Sequence, residues 1–225
     1  MSETVGFIPI KSVSKRIPRK NFRLFCGHPL YKYIITNAVD SEAFDELYVD
    51  TDSDEIKEFA RKMGAQIIDR PEFMTADDVN GNDLLVYDYN VVKKGDYLFQ
   101  LFATAPLLRA ETIKKCVDIL KNNKDYDSIF TATEESGWFW FNDLPVNYRP
   151  DVLPRSQDAK HLLKESTGLY GITKESLLKY KCRIGARPKP FLISPVEALD
   201  IDTEYEFEFA EAVGYKLKIN EKIRF

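Results

Sequence analysis

The chain predicts an α/β fold, a doubly wound sheet of mostly parallel strands, on three observations. Short apolar runs alternate with amphipathic segments through the first two thirds of the sequence. Leu, Ile, Val, Phe and Tyr are spread along its whole length, and at 225 residues and 44% hydrophobic it can fill one large core or two modest ones. No internal repeat, low-complexity tract or Gly/Ser linker marks a second independent domain. Strands alternating with helices imply right-handed crossovers and a sheet covered on both faces.

The elements follow in order. Residues 5–10 (Val-Gly-Phe-Ile-Pro-Ile) read as a first buried strand, and residues 46–51, 66–69 and 97–101 as the next three. Ile56, Phe59, Ala60 and Met63 recur at helical spacing behind Ser53, an acceptable N-cap, with Glu55 and Glu58 in the first turns. Ile113, Cys116, Val117 and Leu120 repeat that pattern over residues 112–121. Residues 168–173 and 191–194 read as returning strands. Residues 205–209 alternate like a strand, but Thr203 with Glu206 forms a capping box and Ala210, Ala212 and Val213 extend it, so a helix is expected. Residues 136–155 break the rhythm with Trp138, Phe139, Trp140, Phe141, Tyr148 and three prolines. They read either as an exposed partner surface or lid, or as a strand pair in the core of the same domain.

Charge narrows the function. The net charge of -4 argues against bulk nucleic-acid binding. Yet residues 4–39 hold seven bases and no acid, six of them being Lys11, Lys15, Arg16, Arg19, Lys20 and Arg23. A positive field at the exit of a first strand is where an α/β sheet usually meets a phosphate-bearing ligand. Cys26, Cys116 and Cys182 are odd in number and lack a C-x-x-C pair, which fits a reducing compartment and disfavours disulfides and zinc. With no signal-peptide core and no run near eighteen apolar residues, a soluble cytoplasmic protein without membrane partners is expected.

Several motifs are missing: G-x-G-x-x-G, G-x-x-x-x-G-K-S/T and H-E-x-x-H. His28 and His161 are the only histidines and read as surface or supporting residues. The basic loop Lys11-Ser-Val-Ser-Lys-Arg-Ile-Pro-Arg-Lys-Asn21 sets hydroxyls between bases, so it can wrap a triphosphate or stand as a solvated basic turn. Asn21 adds a group suited to a ribose or base edge. Asp200 and Asp202, at i and i+2, project to one side of an extended segment with Ile201 facing the core. Such a pair can hold Mg2+ beside substrate phosphates, or Asp202 can cap the helix that follows.

Taken together, these residues resemble the acylneuraminate cytidylyltransferases, which activate nonulosonic sugar acids by joining them to CMP. Ile8-Pro-Ile-Lys-Ser-Val-Ser-Lys-Arg-Ile-Pro-Arg-Lys-Asn21 is similar to their opening I-P-A-R-G-G-S-K-R-I-P-x-K-N. Further matches are Thr51-Asp-Ser-Asp-Glu-Ile56, Arg70-Pro-Glu72, Ala103-Thr-Ala-Pro-Leu107, Arg155-Ser-Gln-Asp158, Gly168-Leu-Tyr170 and Asp200-Ile-Asp-Thr203. Phe25-Cys-Gly27 and the Ala103–Arg109 phrase, with Arg155-Ser-Gln-Asp158, look most like the pseudaminic acid branch.

The resemblance implies a Rossmann-like nucleotidyltransferase sheet in one domain over residues 1–225, with an aromatic-rich dimerisation insertion at about 136–165. It implies CTP as co-substrate, a small acidic sugar as acceptor, Mg2+ (or Mn2+) as the ion, and a homodimer. By matching position, Lys11, Ser14, Lys15, Lys20, Asn21, Arg70 and Asn80 would bind the nucleotide. Phe102, Thr104, Arg155, Gln157 and Tyr170 would bind the acceptor, Arg155 being the candidate for its carboxylate. Lys20, Asp200 and Asp202 would be catalytic, the two aspartates holding the metal. Lys11 replaces an arginine, Ser12-Val13 a Gly-Gly pair, Phe102 a glutamine, and Asn80-Gly-Asn-Asp83 a Ser/Thr-rich run. These departures leave two other readings: a nucleotidyltransferase with a different acceptor, such as a 3-deoxy-octulosonate-like acid or a phosphonate, and a non-catalytic nucleotide-sugar binder.

Overall fold

A computed structural model describes residues 2–223. In chain order its elements are β1 (Thr4–Pro9), β2 (Leu24–Phe25), β3 (His28–Pro29), α1 (Tyr31–Asp40), β4 (Glu46–Thr51), α2 (Asp54–Lys62), β5 (Gln66–Asp69), α3 (Gly81–Val92) and β6 (Tyr97–Leu101). Then come α4 (Ala110–Asn122), β7 (Ser128–Glu135), β8 (Trp140–Phe141), β9 (Leu144–Pro145), β10 (Leu162–Thr173), α5 (Lys174–Tyr180), β11 (Pro188–Leu192) and α6 (Glu204–Lys216).

Seven strands form one sheet in the order β11-β7-β10-β6-β1-β4-β5. Every pairing is parallel except those of β10, which runs against both β6 and β7. The chain moves from β1 outward through β4 and β5, then returns to lay β6 on the other side of β1. That reversal opens a crevice at the carboxyl ends of β1 and β6, where open α/β sheets bind ligands.

Alternation along the strands feeds two cores. From β1, Ile8 packs with α1, α2 and α4 on one face, through Ile34, Phe59 and Val117. Val5 and Phe7 pack on the other with Leu85 of α3 and Leu177 of α5. A third cluster joins the basic loop to α6: Ile17, Phe25, Ile201 and Phe207 are all buried, with Phe207 edge-on to Phe25 at 5.7 Å. This cluster brings the two ends of the chain together, although they are nearly two hundred residues apart.

The strands expected at Glu46–Thr51, Gln66–Asp69 and Tyr97–Leu101 form with those bounds, and the first begins one residue early. Ser53 caps α2 by accepting from Ile56 N, and α6 starts on the Thr203–Glu206 capping box. The returning strand at 168–173 is the latter half of β10, and that at 191–194 lies instead at Pro188–Leu192.

The alternative of a core strand pair for residues 136–155 is overturned. They form a surface hairpin in which Trp140, Phe141 and Leu144 are 57%, 68% and 67% exposed. Asn142 and Asp143 turn it with φ of 47° and 61°, left-handed values that match the twist of a two-residue hairpin loop. Its base is tied by buried Asn147, whose amide donates to the Gly137 and Lys160 carbonyls and whose oxygen accepts from Phe139 N.

Candidate active site

A cleft of about 430 Å³ opens at the crevice beside β1, lined by Lys11, Ser14, Lys15, Arg16, Lys20, Asn21, Arg70, Phe102 and Thr104 among others. The basic loop is pinned at both ends. Ser12 donates its N–H (2.7 Å) and its hydroxyl to the Asp52 carboxylate, and Asn21 Nδ2 donates to the Lys11 carbonyl at 2.8 Å. Lys11 and Lys15 both reach the exposed carboxylate of Asp77 across the cleft. The loop is therefore held as a strap at both ends, with Val13, Lys15 and Arg16 exposed along it.

Lys20 and Asp202 meet at this strap. The Lys20 side chain is nearly buried; its ammonium donates to the Ile201 carbonyl at 2.5 Å and to Asp202 Oδ1 at 3.3 Å. Arg16 Nη2 donates to the same Asp202 oxygen at 2.6 Å. Burial pulls the Lys20 ammonium below its ordinary value, while Asp202 and then Asp200 oppose the shift. Ile201 N donates to the Thr104 carbonyl at 2.9 Å, which locks the Asp200–Asp202 segment to the cleft wall. The alternative of Asp202 as helix cap does not hold. Thr203 takes that position, and Glu206 receives the N–H groups of both Asp202 and Thr203, so the Asp202 carboxylate faces the cleft.

Asp200 lines a neighbouring hollow with Glu165, Ser166 and Thr167. Its Oδ1 is buried without a hydrogen-bond partner, as is Thr167 Oγ1. A buried carboxylate oxygen with no donor is costly and suits a bound cation or ligand hydroxyl.

Arg70 is buried against Asp50, donating through Nε (3.0 and 2.9 Å) and Nη2 (2.5 Å) to its carboxylate. Asp88 of α3 packs beside this pair, fully buried, with neither oxygen accepting a bond. Burial, reinforced by the charge of Asp50, pushes the Asp88 carboxyl well above its ordinary value. Burial also raises Asp50, with Arg70 opposing. The shift favours the protonated form of Asp88, which would be a donor toward Asp50.

This trio makes stability depend on pH. Folded Asp88 holds its proton more tightly than the unfolded chain, so its contribution is full in acid and declines as pH rises from the ordinary Asp range through the raised folded value. Asp88→Asn keeps the shape and the donor but cannot ionise. Urea unfolding at about pH 5 and about pH 8 is expected to show wild type losing on the order of 1–3 kcal/mol relative to Asp88→Asn as pH rises. Parallel pH profiles would show that Asp88 carries no such proton.

Of the residues selected from sequence, nine lie on or beside one cleft: Lys11, Ser14, Lys15, Lys20, Asn21, Arg70, Phe102, Thr104 and Asp202. Tyr170 is buried next to it, its ring edge-on to Phe102 at 6.2 Å and its hydroxyl donating to Glu165 at 2.5 Å. Four residues are placed differently from expectation. Asn21 uses its amide to hold the loop rather than presenting it to a nucleoside. Asn80 spends its side chain as the N-cap of α3, accepting from Asn82 and Asp83 N–H. Arg155 is 76% exposed and paired with Asp158 on the surface, and Gln157 is exposed beside it, so neither lines the cleft of its own chain.

Sequence reasoning passed over Asp52, Asp77, Asp50, Asp88 and Arg183. The Thr51-Asp-Ser motif held a signal for Asp52; the others sit in no motif.

A mostly parallel sheet with a cationic strap over its switch point and an aspartate facing that strap defines an α/β enzyme of the nucleotidyltransferase class. The chain matches the cytidylyltransferase family over residues 5–223, and it belongs to that family. It is 30% identical over 223 positions to the pseudaminic acid cytidylyltransferase of Campylobacter jejuni, covering 93% of this chain and 95% of that protein. It is 27% identical over 206 positions to N-acylneuraminate cytidylyltransferase A of Danio rerio, covering 88% of this chain but only 47% of the fish protein, so it spans about half that relative's length. Among solved structures, a CMP:2-keto-3-deoxy-manno-octonic acid synthetase in complex with CTP shares the fold, with a TM-score of 0.71 at 18% identity over 96% of this chain and 100% of that one.

Proposed function

We propose that this protein transfers CMP from CTP to the anomeric hydroxyl of a nonulosonic acid of the sialic, pseudaminic or legionaminic kind, for surface-glycan synthesis. The observation that carries this is the convergence of Lys20, Arg16 and Asp202 on one cleft that also holds Lys11 and Lys15. In the reaction the acceptor oxygen bonds to the α-phosphorus, the bond to the bridging oxygen breaks, pyrophosphate leaves and the hydroxyl proton is released. Lys11, Ser14, Lys15 and Lys20 hold the phosphates, with Lys11 and Lys15 exchanging Asp77 for phosphate oxygens. Arg70, fixed by Asp50, and the start of α3, capped by Asn80, bound the nucleoside. Phe102, Thr104 and Tyr170 stand on the acceptor side. Catalysis is then positioning and charge neutralisation, without a covalent enzyme intermediate.

The donor set suits Mg2+, with Mn2+ as a substitute. Asp200 and Asp202 supply two carboxylates, one with an oxygen that has no partner, and Mg2+ typically takes one or two carboxylates plus substrate phosphates. No group of three or more His, Cys, Asp or Glu suited to a metal occurs among the described residues, so phosphate oxygens would complete the shell. Bound there, the ion would neutralise phosphate charge and acidify the acceptor hydroxyl.

Pyrophosphate release tests the reading, with CTP, UTP, GTP and ATP each offered against pseudaminic, legionaminic, sialic and 3-deoxy-octulosonic acids. CTP with a nonulosonic acid is expected to dominate. Preference for the octulosonic acid would reassign the acceptor, and CTP binding without turnover would leave a nucleotide-sugar binder.

The surface hairpin supports a homodimer in which residues 136–165 form an arm of the single transferase domain and carry Arg155 and Gln157 toward the second subunit. Its exposed Trp140 and Phe141 are the kind of contiguous apolar surface that a partner covers. The double variant Trp140→Glu, Phe141→Glu is expected to run as a monomer in light scattering while wild type runs as a dimer. A dimeric variant would remove the arm from the interface. We place the reaction in the cytoplasm: all three cysteines are free thiols, and no helix among the described residues is long and apolar enough to cross a membrane. Neither nucleic acid nor membrane is a partner in this reading.

A further inference from the structure

Arg183 belongs to no motif, and nothing in the sequence drew attention to it. In the fold its guanidinium carbon lies 3.6 Å from the Tyr170 ring centroid and 5.7 Å from that of Phe102, a cleft residue. The side chain is only 22% exposed. Its backbone N–H donates to Asn82 Oδ1 at 3.0 Å, which fixes it against the start of α3. Position 81 makes room for it: a Cβ on Gly81 would stand 2.4 Å from Arg183 Nη1.

Stacked and enclosed in this way, the guanidinium is poorly satisfied. Its nearest acid is Glu165, 3.7 Å from Nη2, beyond hydrogen-bond range. The closer engagement of Glu165 Oε1 is with the Tyr170 hydroxyl, at 2.5 Å. Gln100, next to Gly81, donates to the Gly81 carbonyl at 2.9 Å, and its own buried Oε1 accepts nothing. Glu165 and Asp200 line the same hollow, so this neighbourhood adjoins the aspartate pair. An aromatic-stacked guanidinium with unspent planar donors is suited to a carboxylate.

The cleft has a cationic half made by Lys11, Lys15 and Lys20, and Phe102, which lines the same cleft, has the Arg183 guanidinium 5.7 Å from its ring. A triphosphate on the strap would leave the Phe102 side of the cleft, which Arg183 adjoins, to the other reactant. Arg155, the carboxylate candidate from sequence, is exposed and committed to Asp158.

We propose that Arg183 binds the carboxylate of the acceptor acid, held at the right angle by Tyr170 and given clearance by Gly81. The assignment rests on the transferase reading above and names the residue that selects its acceptor. The guanidinium makes the contact, while Gly81 acts as a positioning residue through it.

The test uses the full chain with CTP and Mg2+, and compares the acceptor acid with its methyl ester. Wild type is expected to prefer the acid. Arg183→Met, which keeps an apolar stem on Tyr170, is expected to raise the acceptor KM roughly 10- to 100-fold, to leave the CTP KM within about twofold, and to lose the preference for acid over ester. Arg183→Lys keeps the charge without the fork and falls between them. Gly81→Ala, which leaves every charge in place, is expected to raise the acceptor KM in the same direction. A CTP KM that rises as much as the acceptor KM overturns the assignment, as does an acid-over-ester preference that survives Arg183→Met. Wild type inert toward every acceptor would instead overturn the transferase reading, and this inference with it.

Discussion

Lys20→Ala is expected to lower kcat/KM for CTP by about 10³-fold, which corresponds to roughly 4 kcal/mol of lost transition-state stabilisation. The magnitude follows from where the charge sits. Lys20 is 7% exposed and its ammonium is held by the Ile201 carbonyl and Asp202, so it acts through protein rather than through water. Alanine also leaves the Ile201 carbonyl without its donor, a separate cost of about 1–3 kcal/mol to the fold. Lys20→Met distinguishes the two effects, since it refills the space without restoring charge. Both variants are expected to lose turnover, and Met to recover more of the thermal stability. The pH profile gives an independent signature. Burial lowers the Lys20 ammonium, and only its protonated form neutralises phosphate, so wild-type kcat/KM is expected to fall on the alkaline side earlier than an ordinary lysine would dictate. Near-wild-type pyrophosphate release by Lys20→Met would remove Lys20 from the machinery.

How much of this was legible beforehand depended on whether the signal was local. β4, β5 and β6 could be read because each is a short apolar run bounded by polar turns, and α2 and α6 because their caps are written in three or four consecutive residues. α1 escaped because it is buried nearly all round: Tyr31, Tyr33, Ile34, Ile35, Thr36 and Ala38 leave little polar stripe to set a period. β7 mixes Ser and Thr among its apolar residues, because Thr131 and Thr133 are buried with hydroxyl partners close by. The strap and the aspartate pair were visible as types of residue in order. What put them in one cleft was the long-range packing of Phe25 on Phe207 and of Ile17 with Ile201, and no local pattern encodes that contact. Arg155 illustrates the converse. A matched motif gave it a role, but it lies exposed, paired with Asp158 and outside the cleft lining of its own chain.

Asp202→Asn is the sharper test of the metal half-site because its effects on binding and on turnover should point in opposite directions. The Asp202 carboxylate accepts from Arg16 at 2.6 Å and from Lys20 at 3.3 Å. Asparagine keeps the volume and removes the charge, so both cations are freed to meet phosphate. Without Mg2+, CTP is expected to bind the variant as tightly as wild type or more tightly by calorimetry, because an anion that competes with the triphosphate has gone. Turnover with Mg2+ is expected to fall by about 10²- to 10³-fold, and its rise with added Mg2+ to flatten, because one of two carboxylates has been lost. A merely structural aspartate would not separate the two quantities. Helix α6 is capped by Thr203 and Glu206 without the Asp202 side chain, and the lost ion pairs are partly exposed, so the change in stability should stay within about 1 kcal/mol. Asp200→Asn, altering the carboxylate whose Oδ1 has no donor, is expected to lower turnover in the same way but to leave metal-free CTP binding unchanged, since it contacts neither Arg16 nor Lys20 by hydrogen bond. If Asp202→Asn kept its Mg2+ response and most of its rate, the pair would be no more than a counter-charge for the strap.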